Sequence, residues 1–414
     1  MNVLVTGISG LGRSSLFDGL RSQMNLWDIG REMEQIAHER GLPYSERTIL
    51  RANPTTLGAL RAAAVQRVVS RLGLPQYKEK VNLISAHSIF MLRDGFREGL
   101  RAADVEMLAP ELIVTLIDGP QQVHDRLREH PGEYFHLSVE SIVRWQEFEV
   151  FFSAHLAMQF HARQYVVPVN QHETFRALLM DRHKKVVYAS YPMTHLPAED
   201  RPLIRKFVEL LSRHFIVFDP ASIEGSHSLK AYYTSTDLRS IASHTIVRDL
   251  DWFIGVNSDA VVAYWPRVVF SSGMNDELRY AYESGKETIL VTERPKDRAL
   301  PSLSPFTTYK SKLFWSSQDF AAFLRLSPEL QEVYSWIQEE IVDVMRLEKE
   351  TRTPTTKEEF KSTCAAVCRY NIPEARFESL REHIMELADG IYDAWSPLIG
   401  TMRQNTGVRS QESE

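Results

Sequence analysis

Val3-Leu4-Val5-Thr6-Gly7-Ile8-Ser9-Gly10-Leu11-Gly12-Arg13-Ser14-Ser15 is the stretch that decides the class of this chain. A short apolar run passes straight into glycines and then into residues with helical spacing, which reads as a buried strand, a tight loop and a helix start. The glycine spacing, with Arg13 and Ser14 after Gly12, is that of a phosphate loop. There the glycines let backbone N–H groups curl round a phosphate and the helix adds its positive end. One position departs from the pattern: Arg13 stands where lysine is usual, and a planar guanidinium does not fill the slot of a compact ammonium without rearrangement. The expected nucleotide-binding residues are Gly7, Ser9, Gly10, Gly12, Arg13, Ser14 and Ser15, with ATP or another nucleotide and magnesium as the ligand.

Outward from this loop, short apolar runs at residues 81–85, 112–117 and 165–169 alternate with helical patterns after Asp28, Pro54, Pro120 and Ser138. Such alternation argues for a parallel sheet covered on both faces. A second series begins at Val186-Val187-Tyr188-Ala189. It continues through a helix over 202–214, strands over 215–218, 260–264 and 288–292, helices over 237–255 and 275–285, and a last strand and helix over 312–326. The remainder is helical. Pro328 sits at a first helical position, Thr356 and Glu359 form a capping-box pair, and Pro397 is expected to kink or stop the last helix. The expected fold is therefore α/β, with two doubly wound parallel-sheet domains at 1–180 and 181–326, a helical domain at 327–404 and a disordered tail at 405–414.

Composition narrows the function. At about 150 residues per domain, 414 residues suit several domains. The chain has 43% hydrophobic and 25% charged residues and a formal charge of −6, with no basic patch to hold a nucleic acid. No apolar run reaches the roughly 18 residues of a membrane span, and no basic stretch precedes Val3, so a cytoplasmic protein is expected. Cys364 and Cys368, the only two cysteines, are expected to be small core residues of a reducing compartment rather than metal ligands.

The stretch Asp251-Trp252-Phe253-Ile254-Gly255-Val256-Asn257-Ser258-Asp259 leads into a buried strand, and Ser272-Gly273-Met274-Asn275-Asp276-Glu277-Leu278 follows it. Ligands of open α/β sheets sit outside the carboxyl ends of strands, so the loop and helix start at 272–277 are placed for a site. Acids in a first helical turn are also favoured by the macrodipole alone, and Ser272 and Asn275 suit a turn or cap as well as a sugar or phosphate.

Two family resemblances bear on these readings. Residues 1 to roughly 178 resemble the archaeal-type adenylate kinases in the loop, in Trp27-Asp28-Ile29-Gly30, in Leu83-Ile84-Ser85-Ala86-His87-Ser88-Ile89, in Pro110-Glu111-Leu112-Ile113-Val114 and in Arg126-Leu127-Arg128. Ser85-Ala86 replaces the family's Asp-Thr, and the lid stretch 129–135 has no arginine. Phosphoryl transfer is mostly positioning and charge neutralisation, so the resemblance with these losses implies nucleotide binding without efficient phosphorylation.

Residues 185 to about 326 resemble the nucleoside 2-deoxyribosyltransferases and related nucleotide N-glycosidases. The matching residues are Val187-Tyr188-Ala189-Ser190-Tyr191-Pro192, Asp251, and Gly273-Met274-Asn275-Asp276-Glu277-Leu278-Arg279-Tyr280-Ala281. The resemblance implies Glu277 as nucleophile, Asp251 as acid or base-orienting group with Asp249 as second candidate, Tyr188 as hydrogen-bond partner of the nucleophile, and Ser272, Gly273 and Asn275 around the substrate. A further family acid corresponds to Ser271. Two carboxylates suit the chemistry, because cleavage of a base–sugar bond passes through an oxocarbenium-like transition state.

The expected function is cleavage or transfer of the N-glycosidic bond of a nucleoside or nucleotide, NAD included, under control of the kinase-like domain. It needs no cofactor for the cleavage and would suit bacterial antiviral defence. A homo-oligomer is expected, with the helix around 333–345 as an interface or the C-terminal helices as a site for a protein partner. An active nucleotide kinase and a non-catalytic nucleotide sensor or scaffold are the alternatives.

Overall fold

The computed structural model describes residues 1–45, 48–92, 95–129, 134, 136–193, 197–222, 243–267, 269, 271–293, 311–351 and 355–408. Most of the lid stretch, the first residues of the expected helix at 237 and the final six residues lie outside the described residues.

The first sheet has five parallel strands, β1 (Asn2–Gly7), β2 (Asn25–Asp28), β3 (Asn82–Ser85), β6 (Leu112–Ile117) and β7 (Arg163–Pro168), in the order β2-β3-β1-β6-β7. Val3, Leu4 and Val5 are fully buried, as are Ile113 and Val114 beside them. Near-continuous apolar runs of this kind are what a sheet covered on both faces demands. Helices begin where the sequence supplies caps. Asp28, Asn53 and Ser138 side chains accept from the N–H groups of Arg31, Thr56 and Ser141, at Ile29–Glu39, Pro54–Leu72 and Val139–Gln159. Unforeseen in the sequence is a hairpin, β4 (Ile89–Leu92) against β5 (Gly95–Glu98). It is fastened by the Trp145 indole N–H to the Ile89 carbonyl at 3.2 Å, and the buried Arg61 donates to the Glu98 carbonyl and pairs with Asp104 at 2.9 Å.

The second sheet comprises β8 (Val186–Ser190), β9 (Ile216–Phe218), β10 (Ala260–Trp265), β11 (Glu287–Thr292) and β12 (Lys312–Phe314), in the order β12-β11-β10-β8-β9. Numbered along the chain this is 2-1-3-4-5, a doubly wound order whose direction reverses at β8. The chain divides into two compact units, Met1–Tyr188 with Ile216–Asp259, and Ala189–Phe215 with Ala260–Glu414.

Three helices, Pro328–Thr351, Lys357–Asn371 and Glu374–Val408, follow the second sheet. The Thr356–Glu359 capping box forms, with the Thr356 N–H donating to Glu359 at 2.7 Å. Pro397 does not stop the last helix. A proline removes one N–H and crowds one carbonyl, and the turn before it is anchored by buried Ile391 and Trp395, the latter edge-on to Trp315 at 5.7 Å. Residues 405–408, expected in a disordered tail, continue this helix. Cys364 and Cys368 are buried one turn apart, and burial pushes both thiols up, Cys368 to about 11. Val333, Ile337, Ile341 and Val344 are buried within the chain. Among the described residues no helix is long and apolar enough to cross a membrane.

Candidate functional sites at the strand ends of both sheets

The glycine loop follows β1 as expected. Gly7, Gly10 and Gly12 have φ of 145°, 82° and 73°, conformations that side-chain-bearing residues avoid. The helix after it, Arg13–Asp18, is only six residues long. A Cβ on Gly10 would stand 2.8 Å from Leu127 Cγ, so the loop is packed under the helix Pro120–Glu129.

The charges around this loop are turned inward. Arg13 donates to Ser85 Oγ at 3.1 Å and to the Ala86 carbonyl at 3.4 Å, and its second nitrogen lies 3.2 Å from His87 Nε2. Ser85 thus serves the Arg13 guanidinium as a hydroxyl acceptor. Burial, and then the neighbouring Arg13 charge, push His87 down to about 3, so the ring is neutral. Glu149, fully internal on the helix Val139–Gln159, accepts from the N–H groups of Gly7, Ser88 and Ile89 at 2.8, 2.9 and 3.0 Å. Burial pushes its carboxyl up, and the three N–H groups oppose that.

Sequence reasoning missed two acids around the loop, Glu149 and Asp118. Asp118, just past β6, pairs with Arg126, which also donates to the Gly10 carbonyl at 2.6 Å. An acid directly after a buried run next to the loop strand was the available signal. Both carboxylates beside the loop are engaged, Asp118 also by the Gly119 N–H at 2.8 Å, so neither is presented to a cation. Among the described residues no group of three or more His, Cys, Asp or Glu side chains gathers for a metal. Ser9 is half-buried, and Ser14 and Ser15 are exposed, with the Ser15 hydroxyl donating to the Gly12 carbonyl at 3.1 Å.

In the second sheet the helix expected from Asn275 starts three residues earlier, at Ser272–Glu283. The Ser271 hydroxyl caps it by accepting from the Met274 N–H at 3.4 Å. Glu277 therefore lies in the second turn, not the first, and the macrodipole no longer accounts for an acid there. Glu277 is half-buried, and the Ser190 hydroxyl donates to its Oε2 at 2.5 Å. Ser190 is the last residue of β8 and is 1% exposed. Sequence reasoning missed its role; a small hydroxyl residue closing a wholly buried strand is the available signal. Ser272 and Gly273 are exposed at the helix start, Asn275 is half-buried, and a Cβ on Gly273 would meet open space.

Asp249 and Asp251 lie on a π-helix, Val247–Asn257. Such i→i+5 winding is rare and concentrates at functional sites. Two positions apart, the carboxylates do not share a face. Asp249 is buried and bound by both arms of Arg248, at 2.8 and 3.1 Å, whereas Asp251 is exposed. Tyr188 is fully buried, its ring 6.5 Å from that of Phe253. The Asn-Ser-Asp that ends the π-helix is structural. Asn257 brackets Val166 on β7, accepting from its N–H at 2.8 Å and donating to its carbonyl at 2.6 Å. The Ser258 hydroxyl donates to the Phe253 carbonyl at 2.6 Å, and the Val186 N–H donates to Asp259 at 2.8 Å.

The structure thus brings Glu277 together with Ser190, and Arg13 with Ser85 and His87. No protein-family model matches the chain, and no curated protein matches it. Among solved structures, a conserved protein from Enterococcus faecalis V583 is similar over 34% of this chain and 98% of its own length, at 14% identity and a TM-score of 0.26.

Proposed function

We propose that this protein is an enzyme that cleaves or transfers the N-glycosidic bond of a nucleoside or nucleotide, with Glu277 as nucleophile. The reading takes the second sheet as deoxyribosyltransferase-like and the first as kinase-like and nucleotide-binding. The observation that carries it is the buried Ser190 hydroxyl donating to the Glu277 carboxylate at the end of the strand where the sheet order reverses.

In the reaction, a Glu277 oxygen forms a bond to the anomeric carbon while the bond to the base nitrogen breaks. The electron pair of that bond leaves with the base, which takes up a proton. Asp251, exposed, is the candidate donor of that proton; Asp249, locked to Arg248, is less suited to give one. Water or a second base then displaces the carboxylate. NAD belongs to the same bond class.

An efficient kinase is the weaker alternative. Arg13 is turned onto Ser85 and His87, and Asp118 is paired with Arg126, so the groups that would neutralise a transferring phosphoryl group are paired with one another. A binding or sensing role for the loop fits these contacts, and a cytoplasmic enzyme of antiviral defence acting as a homo-oligomer is the setting we favour. Incubation of the protein with nucleosides, nucleotides and NAD, followed by chromatography, is expected to show free base. Phosphate transfer between nucleotides without base release would overturn the reading.

A further inference from the structure

We infer that Ser190 is a positioning residue that holds the Glu277 carboxylate ionised and aimed at an anomeric carbon, an inference that rests on the glycosidic reading above. Ser190 ends a strand that is buried at all five positions, so its backbone is fixed and its only freedom is one rotor. Glu277 is carried on a twelve-residue helix, and three side-chain torsions separate its carboxylate from that scaffold. A hydrogen bond from a buried hydroxyl to a carboxylate is charge-assisted, removes that rotational freedom and favours the ionised form. Several charged groups of the same unit have partners of their own. Arg279 pairs with Asp276 and Glu283, Arg267 with Glu199 and Asp200, and the Tyr264 hydroxyl donates to Glu293.

The contribution differs between the two steps. When a Glu277 oxygen bonds to the sugar carbon, the carboxylate loses its charge and the Ser190 bond weakens. When the glycosyl ester opens, the carboxylate leaves with the electron pair of the carbon–oxygen bond and the Ser190 bond strengthens. Ser190 therefore favours release of the sugar from the enzyme more than the initial attack, since only interactions stronger in a transition state speed that step.

The test uses full-length Ser190→Ala, Ser190→Cys and Ser190→Thr proteins. The Glu277 carboxyl is titrated by carbon-13 NMR, its signal assigned by its loss in Glu277→Gln. The pKa is expected to rise by about one pH unit in Ser190→Ala, less in Ser190→Cys, and to return in Ser190→Thr. Rapid-mixing assays of base release are expected to show, for Ser190→Ala, a burst followed by turnover slowed roughly tenfold or more, with the burst itself little changed. An unchanged titration in folded Ser190→Ala overturns the proposal whatever the activity. A shifted titration alongside a wild-type protein that releases no base supports the hold of Ser190 on Glu277 and overturns the glycosidic reading, so the two failures are told apart.

Discussion

At the scale of single residues, Glu277 is the position on which the chemistry turns, and its surroundings dictate how it is best removed. Alanine there strands the buried Ser190 hydroxyl without the acceptor it has now, a loss of about 1–3 kcal/mol. Glutamine keeps an oxygen for Ser190 and removes the charge. Glu277→Gln is therefore expected to unfold at close to the wild-type denaturant midpoint while base release falls at least about a thousandfold, as when a nucleophile is lost. Glu283, on the same helix, is exposed and paired with Arg279 at 2.8 Å. Glu283→Ala is expected to leave both activity and stability nearly unchanged, because exposed ion pairs contribute little. Equal base release by Glu277→Gln and wild type would place the chemistry elsewhere.

At the scale of elements, the π-helix shows how much a few side chains decide. Asn257 gives Val166 both a donor and an acceptor, occupying the open edge of β7 as another strand would. Asn257→Ala leaves a buried N–H and carbonyl unpaired and is expected to cost about 2–4 kcal/mol in chemical denaturation, against near-neutrality for Asp251→Ala on the exposed face. A cost below about 1 kcal/mol would show that the edge is satisfied by other means. Most strands of the two sheets were legible as short, mainly apolar runs between breakers, as at Leu112–Ile117 and Ala260–Trp265, whereas β2, with Asn25 and Asp28 at its ends, is too short and polar to stand out. Helix starts were legible where a cap precedes them, as at Ser138 and Thr356. Pattern failed where the determinant is a contact far along the chain. The hairpin β4–β5 depends on Trp145 and Arg61, and π winding leaves no signature in apolar spacing. In the candidate sites, the loop glycines and the carboxylates of Asp249, Asp251 and Glu277 could be named from sequence. Their partners could not: Glu149 lies 142 residues from Gly7, and Ser190 lies 87 from Glu277.

At the scale of the whole molecule, the proposal joins a nucleotide-binding loop to a glycosidic site in one chain, and control of one by the other has a thermodynamic signature. If a nucleotide at the Gly7–Ser14 loop changes the affinity for substrate by some factor, substrate must change the affinity for nucleotide by the same factor. The proposal places the switch at Arg13. Arg13 rests on Ser85, Ala86 and His87, and an entering phosphate competes for that guanidinium. Losing the Arg13 charge as a neighbour also relieves one of the two pressures that hold the His87 ring neutral. Full-length Glu277→Gln binds substrate without consuming it, so both affinities can be measured by calorimetry on a stable complex. Nucleotide affinity is expected to change at least about fivefold when substrate saturates the other site, with an equal factor in the reverse titration. Arg13→Gln, which cannot make the charged exchange, is expected to weaken nucleotide binding and bring the factor towards one. Identical nucleotide affinity with and without substrate would mean that the two sites act independently, and that the first sheet serves a purpose other than control of the second.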